Sequence, residues 1–130
     1  MSDSRRTIFD VGRVLNAKLA RSLLGGMLWG VGSALLEGSE LDPRHGAFMQ
    51  SDLAQYHVMA HADVPDIEAL YLDGYDDKAN PLGSKGLGEL GICGSGAAVA
   101  NAVYNAAGAR VRSFPITVDR LLAAMSSMAP

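Results

Sequence analysis

Apolar residues return at helical spacing between residues 17 and 37, with Leu24, Met27, Leu28, Val31 and Leu35 on one stripe. Asn16 stands immediately before this run, where its side-chain oxygen can accept from the orphan amides of a first turn, so a single core-facing helix is predicted from Ala17 to about Glu37. Ahead of it, Thr7 to Val11 is short, partly β-branched and aromatic, and closed by Gly12, the pattern of a strand delivering the chain to a turn. Asp42-Pro43-Arg44-His45-Gly46 lies between two short strand-like runs, Glu40 to Leu41 and Ala47 to Met49, and predicts a hairpin. Ile67 to Leu72 alternates as a further strand begun after Pro65, whereas Asp73 to Asn80 is polar and turn-rich and reads as a surface connection. Ala97 to Ala107 is an alanine-rich run expected to form a buried helix closed by Gly108. Arg110 to Ile116 reads as extended, and Thr117 as the cap of a short helix through Met125.

Glycine changes this picture in two places. Gly25, Gly26, Gly30 and Gly32 interrupt the first long helix. Each costs about 1 kcal/mol relative to alanine in an exposed helix, so their presence predicts something packed hard against that backbone. Glycine also stands at 83, 86, 88, 91, 94 and 96, which marks a loop feeding the start of the alanine-rich helix. The fold class expected is mixed α+β, with two buried glycine- and alanine-rich helices and short strands.

The chain has 130 residues, 48% of them hydrophobic, enough for one domain with a buried core. Its net charge of -3 and pI near 5.5 arise from interspersed acids and bases, so neither a phosphate backbone nor an anionic membrane is an expected partner. Leu23 to Leu36 is the most apolar stretch, but it is shorter than the roughly 20 residues that cross a bilayer and reads as a buried helix. The N-terminal residues lack a signal-peptide apolar core, and a cytoplasmic location is expected, with the periplasm reachable by co-export with a signal-bearing partner. The lone Cys93 excludes an internal disulfide or multi-cysteine cluster and reads as a small buried residue. His57 and His61 are four apart, yet neither they nor His45 is assigned as a metal ligand, because solvated or structural histidines account for them better.

The most informative stretch is Pro81-Leu82-Gly83-Ser84-Lys85-Gly86-Leu87-Gly88-Glu89-Leu90-Gly91. Glycines let backbone amides approach a ligand, and Lys85 adds positive charge, so one reading is a loop cradling an anionic cofactor. The other is an irregular connection with a solvated lysine. Glu89, among glycine and apolar neighbours, is either a desolvated proton acceptor or an ordinary surface or capping carboxylate.

The run N-P-L-G-S-K-G-L-G-E-L-G at Asn80 to Gly91 resembles the molybdenum-binding loop of xanthine dehydrogenase and aldehyde oxidoreductase large subunits, whose glutamate ends K-G-x-G-E. The resemblance extends through Asp10 to Asn16, the Gly-Gly-Met-x-x-Gly-x-Gly helix at Gly25 to Gly32, Asp63 to Ile67, Ala100 to Val103 and Phe114 to Thr117, which is nearly all of the chain from Ile8 to Leu122. G-E-L-G is closer to the bacterial aldehyde-oxidising branch than to the purine-oxidising one.

The resemblance implies that residues 1–130 are a C-terminal segment of a molybdenum cofactor-binding domain, incomplete relative to the family. It implies Glu89 as general base in the oxidation of an aldehyde or heteroaromatic, with water as the oxygen source. Lys85, Gly86, Leu87 and Gly88 match loop positions whose backbone meets a molybdenum-molybdopterin cofactor, expected in its cytosine dinucleotide form. Arg13, Val14, Leu15, Asn16, Ala17 and Lys18 match a second cofactor segment. Implied partners are the remainder of the large subunit and the subunits that carry iron-sulfur clusters and FAD. Alone, the chain is expected to be inactive; the rival expectation is a non-catalytic remnant or interaction module that binds a partner subunit.

The chain departs from the family pattern where a cofactor-bonding glutamine is usual: position 23 is Leu23, and Gly25 arrives one residue early. One deleted helical residue rotates all that follows by about 100°, so either the helix start adjusts or the cofactor side is compromised. Restoring a glutamine at 23, with one residue inserted before Gly25, is expected to repair a cofactor contact.

Overall fold

The computed structural model describes residues 6–127. Strand β1 (Arg6–Phe9) pairs in parallel with β4 (Glu68–Tyr71), Ile8 opposite Leu70 and Phe9 opposite Tyr71. The Leu72 amide carries the ladder one step further by donating to the Phe9 carbonyl at 2.9 Å. Between these strands run α1 (Ala17–Ala20), α2 (Leu23–Leu35) and the expected hairpin of β2 (Leu41–Asp42) and β3 (Ala47–Phe48). After β4 come a 3₁₀ turn at Leu90–Ile92, then α3 (Ser95–Ala107) and α4 (Val118–Ser126). The class is α+β, as expected.

Asn16 caps as predicted: its Oδ1 accepts from the amides of Lys18 at 3.0 Å and Leu19 at 3.2 Å. The single helix expected from 17 to 37 is instead two. The amides of Ser22, Leu24 and Gly25 donate three residues back, to the carbonyls of Leu19, Arg21 and Ser22. That tightened turn resets the helix phase, so Ala20 and Leu23 both face inward. The helix start does adjust, and the consequence falls on position 23. Leu23 is fully buried in a core with Phe9, Val11 and Met27, so it is a packing position, and the repair expected of a glutamine there has no basis in this arrangement.

The glycines of α2 have the close packing they predicted, except Gly25, where an added Cβ would meet nothing within 4 Å. At Gly26 a Cβ would lie 3.0 Å from the Gly88 carbonyl oxygen, and at Gly30 it would lie 2.6 Å from the Ser95 Cβ. From the opposite side, a Cβ on Gly91 would stand 2.5 Å from the Leu23 carbonyl oxygen and 2.9 Å from the Met27 amide nitrogen. The 3₁₀ turn and the start of α3 are thereby seated directly on the α2 backbone.

Several expectations fail on burial. None of the residues of α3 is buried among the described residues, so it is a half-covered helix rather than a core one. Trp29 lies on the outer side of α2 at 58% exposure, and Leu24, Leu28, Val31 and Leu35 are only half-buried. Cys93 is exposed. Residues 110–116 form no strand; the Ile116 amide donates to the Ala34 carbonyl at 2.7 Å and fastens this stretch to the end of α2. Thr117 does precede α4, but its side chain makes no capping bond to the first turn.

Candidate functional site

The loop from Gly83 to Ile92 is fixed at both ends. Gly83 has φ +69° and packs against the Tyr75 ring, and its carbonyl accepts from the amides of Arg13 at 2.7 Å and Asp76 at 3.2 Å. The Lys85 amide donates to the Val11 carbonyl at 2.9 Å, and Asn80 Nδ2 donates to the Ser84 carbonyl at 2.6 Å. Farther along, Leu87 packs against the Phe9, Val11, Leu23 and Met27 core, and Gly91 is pressed onto α2. Glu89 therefore sits on a short span between two anchored residues, at the head of the 3₁₀ turn, where its carbonyl accepts from the Ile92 amide at 3.0 Å.

Its side chain is exposed. The desolvation expected from its apolar and glycine neighbours is not supplied by the described residues. The turn presents the carboxylate; it does not enclose it.

A cleft of about 270 Å³ opens beside this loop. Its walls include Arg13, Val14, Leu15 and Asn16 from one sequence-predicted segment, and Lys85, Leu87 and Gly88 from the other. Two stretches some seventy residues apart in the chain are thus brought to one concavity. Ala17, Lys18, Gly86 and Glu89 are not in its lining. Leu19, Ala20, Ser22 and Ser84 are, and the sequence reading missed them. Leu19 and Ser22 could be found only by locating the tight turn between α1 and α2, which no local signal in Leu19 to Gly25 announces. At Gly86 and Gly88 an added Cβ would meet nothing within 4 Å, so the loop backbone is open to an approaching group.

The charges are arranged differently from expectation. Lys85 Nζ lies 3.1 Å from Asp10 Oδ2 and 3.2 Å from Asp76 Oδ2. Those carboxylates raise the lysine above its ordinary range. Asp76 is lowered first by its bond to Lys85 and then by the Lys78 amide. Asp10 is lowered first by the Gly12 amide, which donates to Oδ1 at 3.1 Å, and then by Lys85. Asp10 and Asp76 were not singled out by the sequence. The exposed cation on the cleft wall is Arg13, for which no ion pair is seen among the described residues.

A second concavity, larger and apolar, lies between α2, α3 and residues 59–67; Leu28, Val31, Cys93 and Ala98 are among its lining residues. Among the described residues there is no cluster of three or more His, Cys, Asp or Glu able to hold a metal ion, and no helix long and apolar enough to cross a membrane.

The chain's resemblances agree with this geometry. A family model described as a molybdopterin cofactor-binding domain matches residues 4–65, which include Arg13 to Asn16 of the cleft wall. The aldehyde oxidoreductase molybdenum-binding subunit PaoC of Escherichia coli strain K12 is 53% identical over 112 residues, 85% of this chain and 15% of that protein. The xanthine dehydrogenase molybdenum-binding subunit of Escherichia coli O157:H7 is 33% identical over 115 residues, 88% of this chain and 15% of that protein. Among solved structures, the aldehyde oxidoreductase of Desulfovibrio desulfuricans ATCC 27774 superposes with a TM-score of 0.82 at 33% identity, covering 92% of this chain and 13% of that one. Quinoline 2-oxidoreductase from Pseudomonas putida 86 superposes with a TM-score of 0.81 at 27% identity, covering 96% of this chain and 16% of that one. The chain spans about 15% of the length of the curated relatives it matches. In sequence and in fold it belongs to the xanthine dehydrogenase and aldehyde oxidoreductase family, as part of the molybdenum-binding subunit.

Proposed function

We propose that this chain supplies the general base and one wall of the cofactor site of a molybdenum hydroxylase, and that it acts when completed by the rest of the subunit. The observation that carries the reading is the cleft: it joins the Arg13 to Asn16 wall to the Lys85 to Gly88 loop, with Glu89 the next residue in the chain. A phosphate-bearing pterin fits this donor set. Arg13 offers positive charge on the wall, and the open backbone at Gly86 and Gly88 allows close approach without a side chain in the way. Ala17 and Lys18, outside the lining, border the site through α1.

When bound, the molybdenum cofactor supplies the two-electron acceptor for the oxidation. The chain's own part is to hold Glu89 forward on a span pinned at Leu87 and Gly91, so that its carboxylate accepts the proton released as a water-derived oxygen is delivered to substrate. In this reading the rest of the subunit closes over Glu89, whose side chain is exposed among the described residues. The names of the relatives support an aldehyde or heteroaromatic as substrate. We extend the reading to a cytosine dinucleotide form of the cofactor, to electron exit through iron-sulfur and flavin subunits, and to assembly in the cytoplasm.

The test is Glu89→Gln in an assembled subunit carrying this segment. Gln keeps size and most hydrogen bonding but removes the proton acceptor, so molybdenum content stays and turnover falls by about 10² to 10⁴. Normal turnover at full molybdenum loading refutes the assignment. A second reading, a non-catalytic module that binds a partner subunit, draws on the exposed apolar residues of α4 and β4, among them Val118, Leu122 and Leu70. It expects cofactor-free assembly and no effect of Glu89→Gln on any activity.

A further inference from the structure

The lysine of the base-bearing loop looks, in the sequence, like a charge aimed at an anionic cofactor. Its surroundings point elsewhere. The ammonium is shared between two carboxylates at 3.1 and 3.2 Å, one at the end of β1 and one in the connection after β4, and its side chain is 35% exposed. Asp10 accepts from the Gly12 amide with its other oxygen, and Gly12, at φ +62°, lies directly under the Gly83 carbonyl. Asp76 donates its own amide to that same carbonyl, and Lys85 donates its amide to Val11. The three side chains therefore tie together the same three strips of chain that the backbone bonds join: residues 10–13, 76 and 83–85.

Resting on the reading of Glu89 as the base, we infer that the Lys85 side chain is a positioning residue. Paired with Asp10 and Asp76, it fastens the Glu89 loop to the end of β1 and to the wall of the cleft, rather than binding the cofactor by its charge. The arrangement is selective for a cation with reach, since a single group must meet two carboxylates on separate segments. Arginine can do this; methionine fills the same space and cannot.

Amide hydrogen exchange on the full chain tests the idea without any cofactor. Exchange of the Lys85 and Arg13 amides reports the loop directly, because each donates across the junction. Lys85→Met should speed exchange in peptides covering residues 80–91 and 10–16 by about threefold to tenfold, the range expected for losing two partly exposed ion pairs that act on one local opening. Lys85→Arg should restore slow exchange. The double variant Asp10→Asn/Asp76→Asn, whose amide oxygen at position 10 still accepts from the Gly12 amide, should match Lys85→Met, and adding Lys85→Met to it should change nothing further. Should Lys85→Met misfold, the double variant decides alone.

In an assembled subunit, Lys85→Met should keep its molybdenum content and KM while kcat falls on the order of tenfold to a hundredfold, with Lys85→Arg recovering most of it. Unchanged exchange in both Lys85→Met and the double variant overturns the inference. So does a Lys85→Met subunit that loses molybdenum while its loop stays protected, since the charge then serves the cofactor. Loosened exchange together with normal turnover by Glu89→Gln leaves the clamp standing and removes the base.

Discussion

At the scale of single residues, the charges around Lys85 give the sharpest expectations. Asp10 and Asp76 are both held below the ordinary carboxylate range, so what they contribute is present above about pH 3.9, the unfolded aspartate value, and is lost as pH falls through their lowered values. Lys85 is held above its ordinary range, so its contribution is present below about pH 10.4 and is lost only as pH rises beyond that. Loop protection should therefore be flat between roughly pH 5 and 9 once intrinsic exchange is corrected for. Both aspartates should respond when the lysine is removed. Lys85 lowers each of them, so carbon-detected NMR on Lys85→Met should show both midpoints moving up, with Asp10 still held down by the Gly12 amide and Asp76 by the Lys78 amide. An unmoved midpoint at either aspartate contradicts the shared pairing. Leu23 supplies the apolar counterpart: fully buried among Phe9, Val11 and Met27, its replacement by alanine should cost about 2–5 kcal/mol in denaturant unfolding, whatever becomes of the cofactor site.

Among the elements, the seat of the 3₁₀ turn on α2 separates glycines that look alike in the sequence. Gly91→Ala forces a methyl against the Leu23 carbonyl and the Met27 amide, backbone atoms that cannot swing aside, so it should destabilise the chain and shift Glu89 with it. Gly25→Ala meets open space in a helix and should stabilise by about 0.4–1 kcal/mol. Thermal unfolding of the two variants side by side checks the pair; equal effects would mean that the seat does not bear on the backbone.

The sequence pattern carried much of this scale. The Asn16 cap, the hairpin at 41–48, the strand at 68–71 and the end of α3 at Gly108 are local and short-range, and each is where periodicity and turn chemistry place it. The break between α1 and α2 was not legible, because a chain tightened by three short-range bonds keeps the same apolar composition as an unbroken helix. Nor was the exposure of α3, since an alanine-rich face reads as core whether or not its cover belongs to the same chain. At the site, Glu89, Lys85 and Arg13 were legible as residue types in a loop and a turn. The partners of Lys85 were not: Asp10 and Asp76 lie apart from it in sequence, and the parallel pairing of β1 with β4 brings their segments together.

Over the molecule as a whole, apolar surface is left uncovered on several sides. Ile8 and Leu70 are exposed on the two strands and Leu72 just past β4, and Val118, Leu122 and Met125 form an exposed stripe down α4. Patches of this kind drive association. The purified chain should bind a hydrophobic dye and self-associate in analytical ultracentrifugation, and a monodisperse monomer with no dye response would contradict that. By the same reasoning it should hold no stoichiometric molybdenum after expression with active cofactor synthesis, because a cleft of about 270 Å³ supplies one wall only; elemental analysis decides.

The parallel pairing of β1 with β4 has a further meaning for how the chain reaches this state. Its partners lie at the beginning of the described residues and just past their midpoint, so contact order is high and a long loop must close before the first ladder bond forms. Until β4 has been synthesised Phe9 has no partner strand, and until residues 90–92 follow it α2 lacks the 3₁₀ turn seated on its glycines. Residues 4–65, the stretch matched by the family model, stop short of β4 and so lack the strand that pairs with β1.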